Sequence, residues 1–180
     1  MKRKVMFTFF LLIILTACSP YSGALPGQEN QIPAQVSAAV PGQNPSREVE
    51  ARSAVEDFYA ALNQSAYDQA AGLYRGSYEA LQGYNPDIDP GDQVSLLGAG
   101  CEFNGLMCLQ VLDLSLIHEN DSGEFIFEVE FANPDGSQFV LGPCCGATEE
   151  EMPPVTLFQV RVTCEQDSAC RVLDLPPYVP

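Results

Sequence analysis

Seven cysteines and a single histidine carry most of the nucleophilic and metal-binding chemistry open to this 180-residue chain. Cys18 stands apart near the N-terminus. The other six, Cys101, Cys108, Cys144, Cys145, Cys164 and Cys170, fall in the second half. Their spacing does not suit a metal: there is no Cys-x-x-Cys pair, Cys144 and Cys145 are adjacent, and one histidine cannot complete a ligand set. An even set of thiols in an oxidising compartment points instead to disulfides. If Gln166–Ser168 turn a hairpin, Cys164 and Cys170 face each other across it, with Cα atoms about 4.5–5.5 Å apart, within reach of a bridge. A bond between Cys144 and Cys145 would need a strained ring. Cys101 and Cys108 are therefore expected to staple the fourth helix and first strand to the 143–146 loop.

The remaining candidates for chemistry are sparse. His118 shares strand parity with Leu112, Leu114 and Leu116 and on that count could point into a pocket. It also borders Glu119-Asn120-Asp121, where a solvated hairpin end is the ordinary outcome. Tyr59 and Tyr74 could offer hydroxyls to the same pocket, although aromatic residues at helical spacing usually belong to a core. Asp113 falls on the opposite strand face, in solvent. Asn85, Asp87 and Asp89 alternate like the start of a calcium loop, but Pro90 stands where such a loop needs glycine. A turn and helix cap account for them better. Glu149–Glu151 read as a solvated loop. No Ser-His-Asp order and no phosphate-binding loop is visible, so no catalytic residue and no cofactor is assigned.

The N-terminal stretch reads as an export signal. Lys2, Arg3 and Lys4 precede an uncharged run from Val5 to Ala17, inside the length of a secretory h-region and short of the roughly 20 residues that span a bilayer. The run ends in Leu15-Thr16-Ala17-Cys18, which resembles the bacterial lipobox. That resemblance implies cleavage after residue 17 and lipidation of Cys18. A diacylglyceryl group supplies the roughly two chains that stable anchoring takes. Ser19, rather than Asp, leans towards the outer surface.

Without residues 1–17 the chain keeps five arginines against 24 acids, a formal charge of −19. Such a surface repels phosphate backbones and anionic headgroups, which excludes nucleic acid as a partner and leaves the lipid as the sole membrane contact. Residues 18–47 comprise Cys18 and a stretch rich in Pro, Gly, Gln and Ser, with Glu29 and Arg47 its only charges. It cannot bury enough apolar surface to offset ordering. We expect a flexible tether with a mean span of about 30 Å.

Residues 48–180 suffice for one domain with one core. Ala51, Val55, Phe58, Tyr59 and Leu62 form one face of a helix. Ser65 with Asp68 suggests the start of a second helix carrying Tyr67, Ala70, Ala71 and Tyr74. Ser77 suggests a short turn through Leu81, and Asp89-Pro90 a further helix reaching Cys101–Asn104. From Cys108 the period changes to two. Leu112–Leu116, Phe125–Phe131 and Phe158–Val162 each alternate apolar with polar, and a last strand is expected at Arg171–Leu175. Asp121-Ser122-Gly123 and Asn133-Pro134-Asp135-Gly136 are turn signals. Helices succeeded by an antiparallel sheet make an α+β domain with the helices on one sheet face.

The segment Ala54-Val-Glu-Asp-Phe-Tyr-Ala-Ala-Leu-Asn-Gln-Ser-Ala-Tyr-Asp-Gln-Ala-Ala-Gly-Leu-Tyr74 resembles the opening helix pair of the NTF2-like superfamily, and more narrowly its small exported lipoproteins. The resemblance implies a cone, a curved sheet wrapped around helices, with a pocket in the concavity. It says little about activity, because that fold serves isomerases, dehydratases and inert modules alike. The expectation is a lipid-anchored extracytoplasmic module that binds a small ligand or an envelope protein without catalysis. The alternative is an isomerase- or dehydratase-type enzyme.

Overall fold

The structure, a computed structural model, describes residues 45–165 and 169–179, all within one compact unit. The lipobox, Cys18 and most of the tether lie outside the described residues. Four helices precede a four-stranded antiparallel meander: α1 (Pro45–Asn63), α2 (Tyr67–Leu73), α3 (Glu79–Tyr84), α4 (Gln93–Glu102), then β1 (Gln110–Glu119), β2 (Glu124–Ala132), β3 (Phe158–Thr163) and β4 (Arg171–Val172), in the spatial order β1-β2-β3-β4. This is the expected α+β class.

The α1 stripe behaves as its spacing requires. Ala51, Val55, Phe58, Tyr59 and Leu62 are all buried and meet the β2 face carrying Phe125, Phe127, Val129 and Phe131. Tyr59 packs on Phe131 at 4.9 Å between ring centroids, and Phe58 stacks on Tyr74 at 5.6 Å. On the other side of β2, Glu124, Glu128 and Glu130 are only half-buried.

Several local signals resolve differently from the sequence reading. Ser65 is not the cap of α2. It takes a left-handed conformation (φ 57°) at the end of α1, with Ser65 N–H donating to the Leu62 carbonyl and Ala66 N–H to the Ala61 carbonyl. That double bond is a Schellman ending. The fourth helix begins three residues after Pro90. The Asp89 carboxylate accepts from Gly91 N–H and closes a tight turn, and Asp92 takes the cap role by accepting from Ser95 N–H. Asp89 is thus spent on a turn. Ser77 does accept from Glu79 N–H at the start of α3.

β1 departs most. Register shifts fall between Val111 and Asp113 and between Leu116 and His118. Each leaves one residue without a cross-strand partner, a bulge that reverses the facing of the residues beyond it. Leu112 is consequently 47% exposed and Ile117 44% exposed, while Val111, Leu114 and Leu116 pair with Phe131, Val129 and Phe127. β4 is also shorter than expected. After Val172 the Asp174 carboxylate takes over, accepting from the Arg161 backbone N–H at 2.8 Å and gripping its guanidinium at 3.0 and 2.7 Å.

The cysteines correct one expectation and bear out another. The β3–β4 ladder pairs Val162 with Val172 and Thr163 with Arg171, so Cys164 and Cys170 come opposite each other and form a disulfide. Their intervening Gln166–Ser168 lie outside the described residues. Cys101 and Cys108 do not reach the 143–146 loop; they bond to each other, with Cα atoms 5.6 Å apart. The chain reverses directly after α4, at Gly105 (φ 77°), and brings Cys108 back to the helix end. Pairing all six thiols disfavours this bridge, because it leaves Cys144 and Cys145 only each other; the two stay unpaired instead. Cys144 and Cys145 remain thiols.

Candidate functional site

The pocket anticipated beneath the sheet is filled. Tyr59 is 0% exposed and its hydroxyl has no hydrogen-bond partner, and Tyr74 donates its hydroxyl to the Ser77 carbonyl at 3.0 Å. Burial above all, with the nearby Asp174 charge and the Tyr74 hydroxyl adding to it, pushes the Tyr59 phenol far above its ordinary range. Tyr74 is raised for the same leading reason, and burial pushes Tyr78 up to about 12. These rings are core, and neither candidate hydroxyl reaches an open site. His118 is exposed. The second bulge places it opposite Ile126, whose other neighbour is Arg161, on the outer face of the sheet. The apolar face and the histidine do not meet.

Open volume lies elsewhere. Between α1 and β1 a groove of about 420 Å³ is bounded by Arg52, Glu56, Gln110, Leu112 and Asp113. Its one cation is engaged: Arg52 donates to the Leu114 carbonyl at 2.5 Å, pairs with Glu48 at 3.7 Å and lies 5.6 Å over the Phe127 ring. The other arginines are likewise taken, Arg47 by Glu50, Arg75 by Glu165, Arg161 by Asp174 and Arg171 by the Gly72 carbonyl. Among the described residues, no guanidinium stands ready for an anion.

A second groove, about 290 Å³, is apolar. One wall is the segment Phe139–Cys144, the other Met107 with Tyr178 and Val179, and Met152 closes an end. No side chain that is charged at neutral pH lines it. Backbone bonds hold both walls. Met107 N–H donates to the Pro177 carbonyl and Val179 N–H to the Gly105 carbonyl, so the C-terminal segment runs as a strap beside residues 105–107. Gly105 is required there, since a Cβ would sit 2.0 Å from the Val179 carbonyl oxygen. Opposite, Leu141 and Val155 exchange both backbone bonds at 2.8 and 2.9 Å. Tyr178, 38% exposed, stacks on Tyr84 at 5.3 Å and extends an aromatic rim.

Sequence reasoning missed this groove. Its walls come from stretches without periodicity, and residues 143–154 read only as a loop. The signal that was present is the apolar run Phe139-Val140-Leu141 directly after the Asn133–Gly136 turn, and a second apolar pair, Tyr178-Val179, near the C-terminus. Among the described residues, no cluster of three or more His, Cys, Asp or Glu is arranged to hold a metal ion. The chain matches no known family, no curated protein and no solved structure.

Proposed function

We propose that the chain is the precursor of a bacterial lipoprotein whose acidic domain, carried on the outer face of a membrane by acylated Cys18, is a non-catalytic module that takes a small, uncharged apolar ligand in the Met107–Phe139–Met152 groove. The observation that carries the binding half is a contrast: the interior under the sheet is packed solid with aromatic rings, while this groove is open and uncharged. Ligand sites are concave and mostly apolar, with volumes from about 300 Å³ upwards, and the groove sits at the lower end of that scale. The net charge of −19 disfavours anionic amphiphiles. The helices-then-meander order supports carrying the NTF2-like resemblance forward to the fold. The enzymatic alternative needs an acid or base among apolar walls, and His118 on the outer face does not supply one.

Two measurements test the halves separately. Cys18→Ser should accumulate unprocessed precursor and abolish fractionation with membranes; a mature N-terminus with a free, unacylated cysteine would overturn the anchor. Nile red, an uncharged apolar probe, should bind the full chain and lose at least about tenfold in affinity, a change of 1.4 kcal/mol, on Met152→Glu. Leu112→Glu, in the groove beside α1, should leave it unchanged. Equal affinity for the native chain and Met152→Glu would remove the groove from the account.

A further inference from the structure

Cys144 and Cys145 sit in a turn built for close approach. Ala147 N–H donates to the Cys144 carbonyl at 3.0 Å, and Cys145 and Gly146, the two central residues, both have positive φ (61° and 89°). Their sulfurs lie 2.8 Å apart. Closing that gap to a bond of about 2.05 Å takes a shift of less than about 1 Å, and the strain of the ring between adjacent residues makes the bond a readily reduced one, as a reversible redox site requires. Among the described residues no other thiol remains, because Cys101 is bonded to Cys108 and Cys164 to Cys170. The turn is also accessible, Cys145 being exposed and Cys144 half-buried at the groove wall. Bonds from Thr148 to the Glu151 carboxylate and the Leu141–Val155 bridge brace the loop on either side.

We propose that Cys144 and Cys145 form a thiol–disulfide redox site, which takes a disulfide as its oxidising substrate and closes into a vicinal disulfide. The exposed Cys145 thiolate attacks one sulfur of the substrate. A Cys145–sulfur bond forms, the substrate S–S bond breaks, and the departing thiolate takes up the proton that Cys145 released. Cys144 Sγ then attacks Cys145 Sγ. The Sγ–Sγ bond forms, the mixed disulfide breaks, and the second thiolate leaves with the Cys144 proton. The pair loses two electrons and two protons, and the substrate departs as two thiols. In the reduced pair, hydrogen bonding with Cys145 and burial hold the Cys144 thiol above its ordinary pKa, so Cys144 stays protonated while Cys145 makes the first attack.

The test is intact mass and peptide mapping of the full chain titrated with oxidised glutathione. In the native chain the peptide holding Cys144 and Cys145 should lose two hydrogens, retain no glutathione and carry the new bond. Mild dithiothreitol should restore the two thiols and leave Cys101–Cys108 and Cys164–Cys170 intact. Cys144→Ser, checked for the same circular dichroism as the native chain, should keep glutathione on Cys145 because the resolving thiol is missing. Glutathione persisting on Cys144 or Cys145 of the native chain would overturn the proposal. So would a bond from Cys144 or Cys145 to Cys101 or Cys108.

Discussion

Two apolar regions lie within one small domain, and they are built by opposite means. Beneath the sheet, α1 and β2 present regular stripes, and Phe58, Tyr59, Phe127 and Phe131 interlock with no charged side chain buried among the described residues. The groove by Met107 and Met152 is walled by irregular chain, tied down by backbone bonds and by single ring contacts, Phe139 on Phe158 and Tyr178 on Tyr84. Regular periodicity brings large side chains into register until the space between them closes. Irregular segments meet at scattered points, and space is left between. In this fold the part most legible from sequence is consequently the part with least room for a ligand.

The first way to break that comparison is to loosen the interior. Phe127 is wholly buried and its ring also lies under the Arg52 guanidinium. Truncation to Ala removes transfer energy, leaves a cavity and deprives Arg52 of its aromatic partner. We predict a loss of about 3–5 kcal/mol in urea unfolding. A loss under about 1 kcal/mol would mean that the interior relaxes freely and is no tighter than the groove.

The second concerns the staple on β3 and β4. β4 is two residues long, and Cys170 itself is buried. Cys164→Ser with Cys170→Ser should cost about 2–3 kcal/mol, the loop-closure entropy of a short ring. If the doubly substituted chain unfolded at the native urea midpoint, the Arg161–Asp174 fork alone would be holding that edge.

A third prediction uses the buried phenols. Tyr59, Tyr74 and Tyr78 are all raised above the ordinary tyrosine pKa of about 10 by burial. Above pH 10 the unfolded chain therefore gives up protons that the folded one keeps, and stability present below pH 10 is lost as the pH rises. For Tyr59 alone the slope is about 1.4 kcal/mol per pH unit. Tyr59→Phe removes that slope and also a buried hydroxyl without a partner, so it should be neutral or stabilising at pH 7 and should flatten the alkaline limb. Urea midpoints from pH 9 to 11 check this, and a limb as steep as the native one would place Tyr59 in contact with solvent.

The sequence was informative where one physical signal acted alone. The α1 stripe, the β2 and β3 alternation and the opposition of Cys164 to Cys170 all arise from period and pairing. It was misleading where two signals competed. Asp89 and Asp92 both qualify as caps, and only the second leads directly into a helical run. Ser65 has the chemistry of a cap but lies where α1 must end, and the left-handed ending prevailed. The bulges in β1 leave no mark in composition: the first takes Leu112 off the Leu114–Leu116 face, and the second takes His118 off it. The groove needs contacts between residues 107, 141, 152 and 178, which no local pattern encodes.

The smallest expected effect sharpens the comparison from the other side. His118 is the residue whose parity pointed at the interior, and the bulge at Ile117 turns it to the outer face opposite Ile126. An exposed side chain away from caps, networks and cavities contributes little, so His118→Ala should shift stability by less than about 0.5 kcal/mol. Nile red affinity should also be unchanged, because His118 does not line the groove. Deleting Ile117 is the sharper variant. Ile117 is the unpaired residue between the Leu116–Phe127 and His118–Ile126 pairs. Without it the ladder runs on regularly, and His118, now directly after Leu116, keeps its place opposite Ile126 on the outer face. Urea stability and Nile red affinity should both stay close to native. A loss of about 1–3 kcal/mol, the cost of a buried polar group without a partner, would mean that the strand slips register instead and carries the imidazole in towards Phe125.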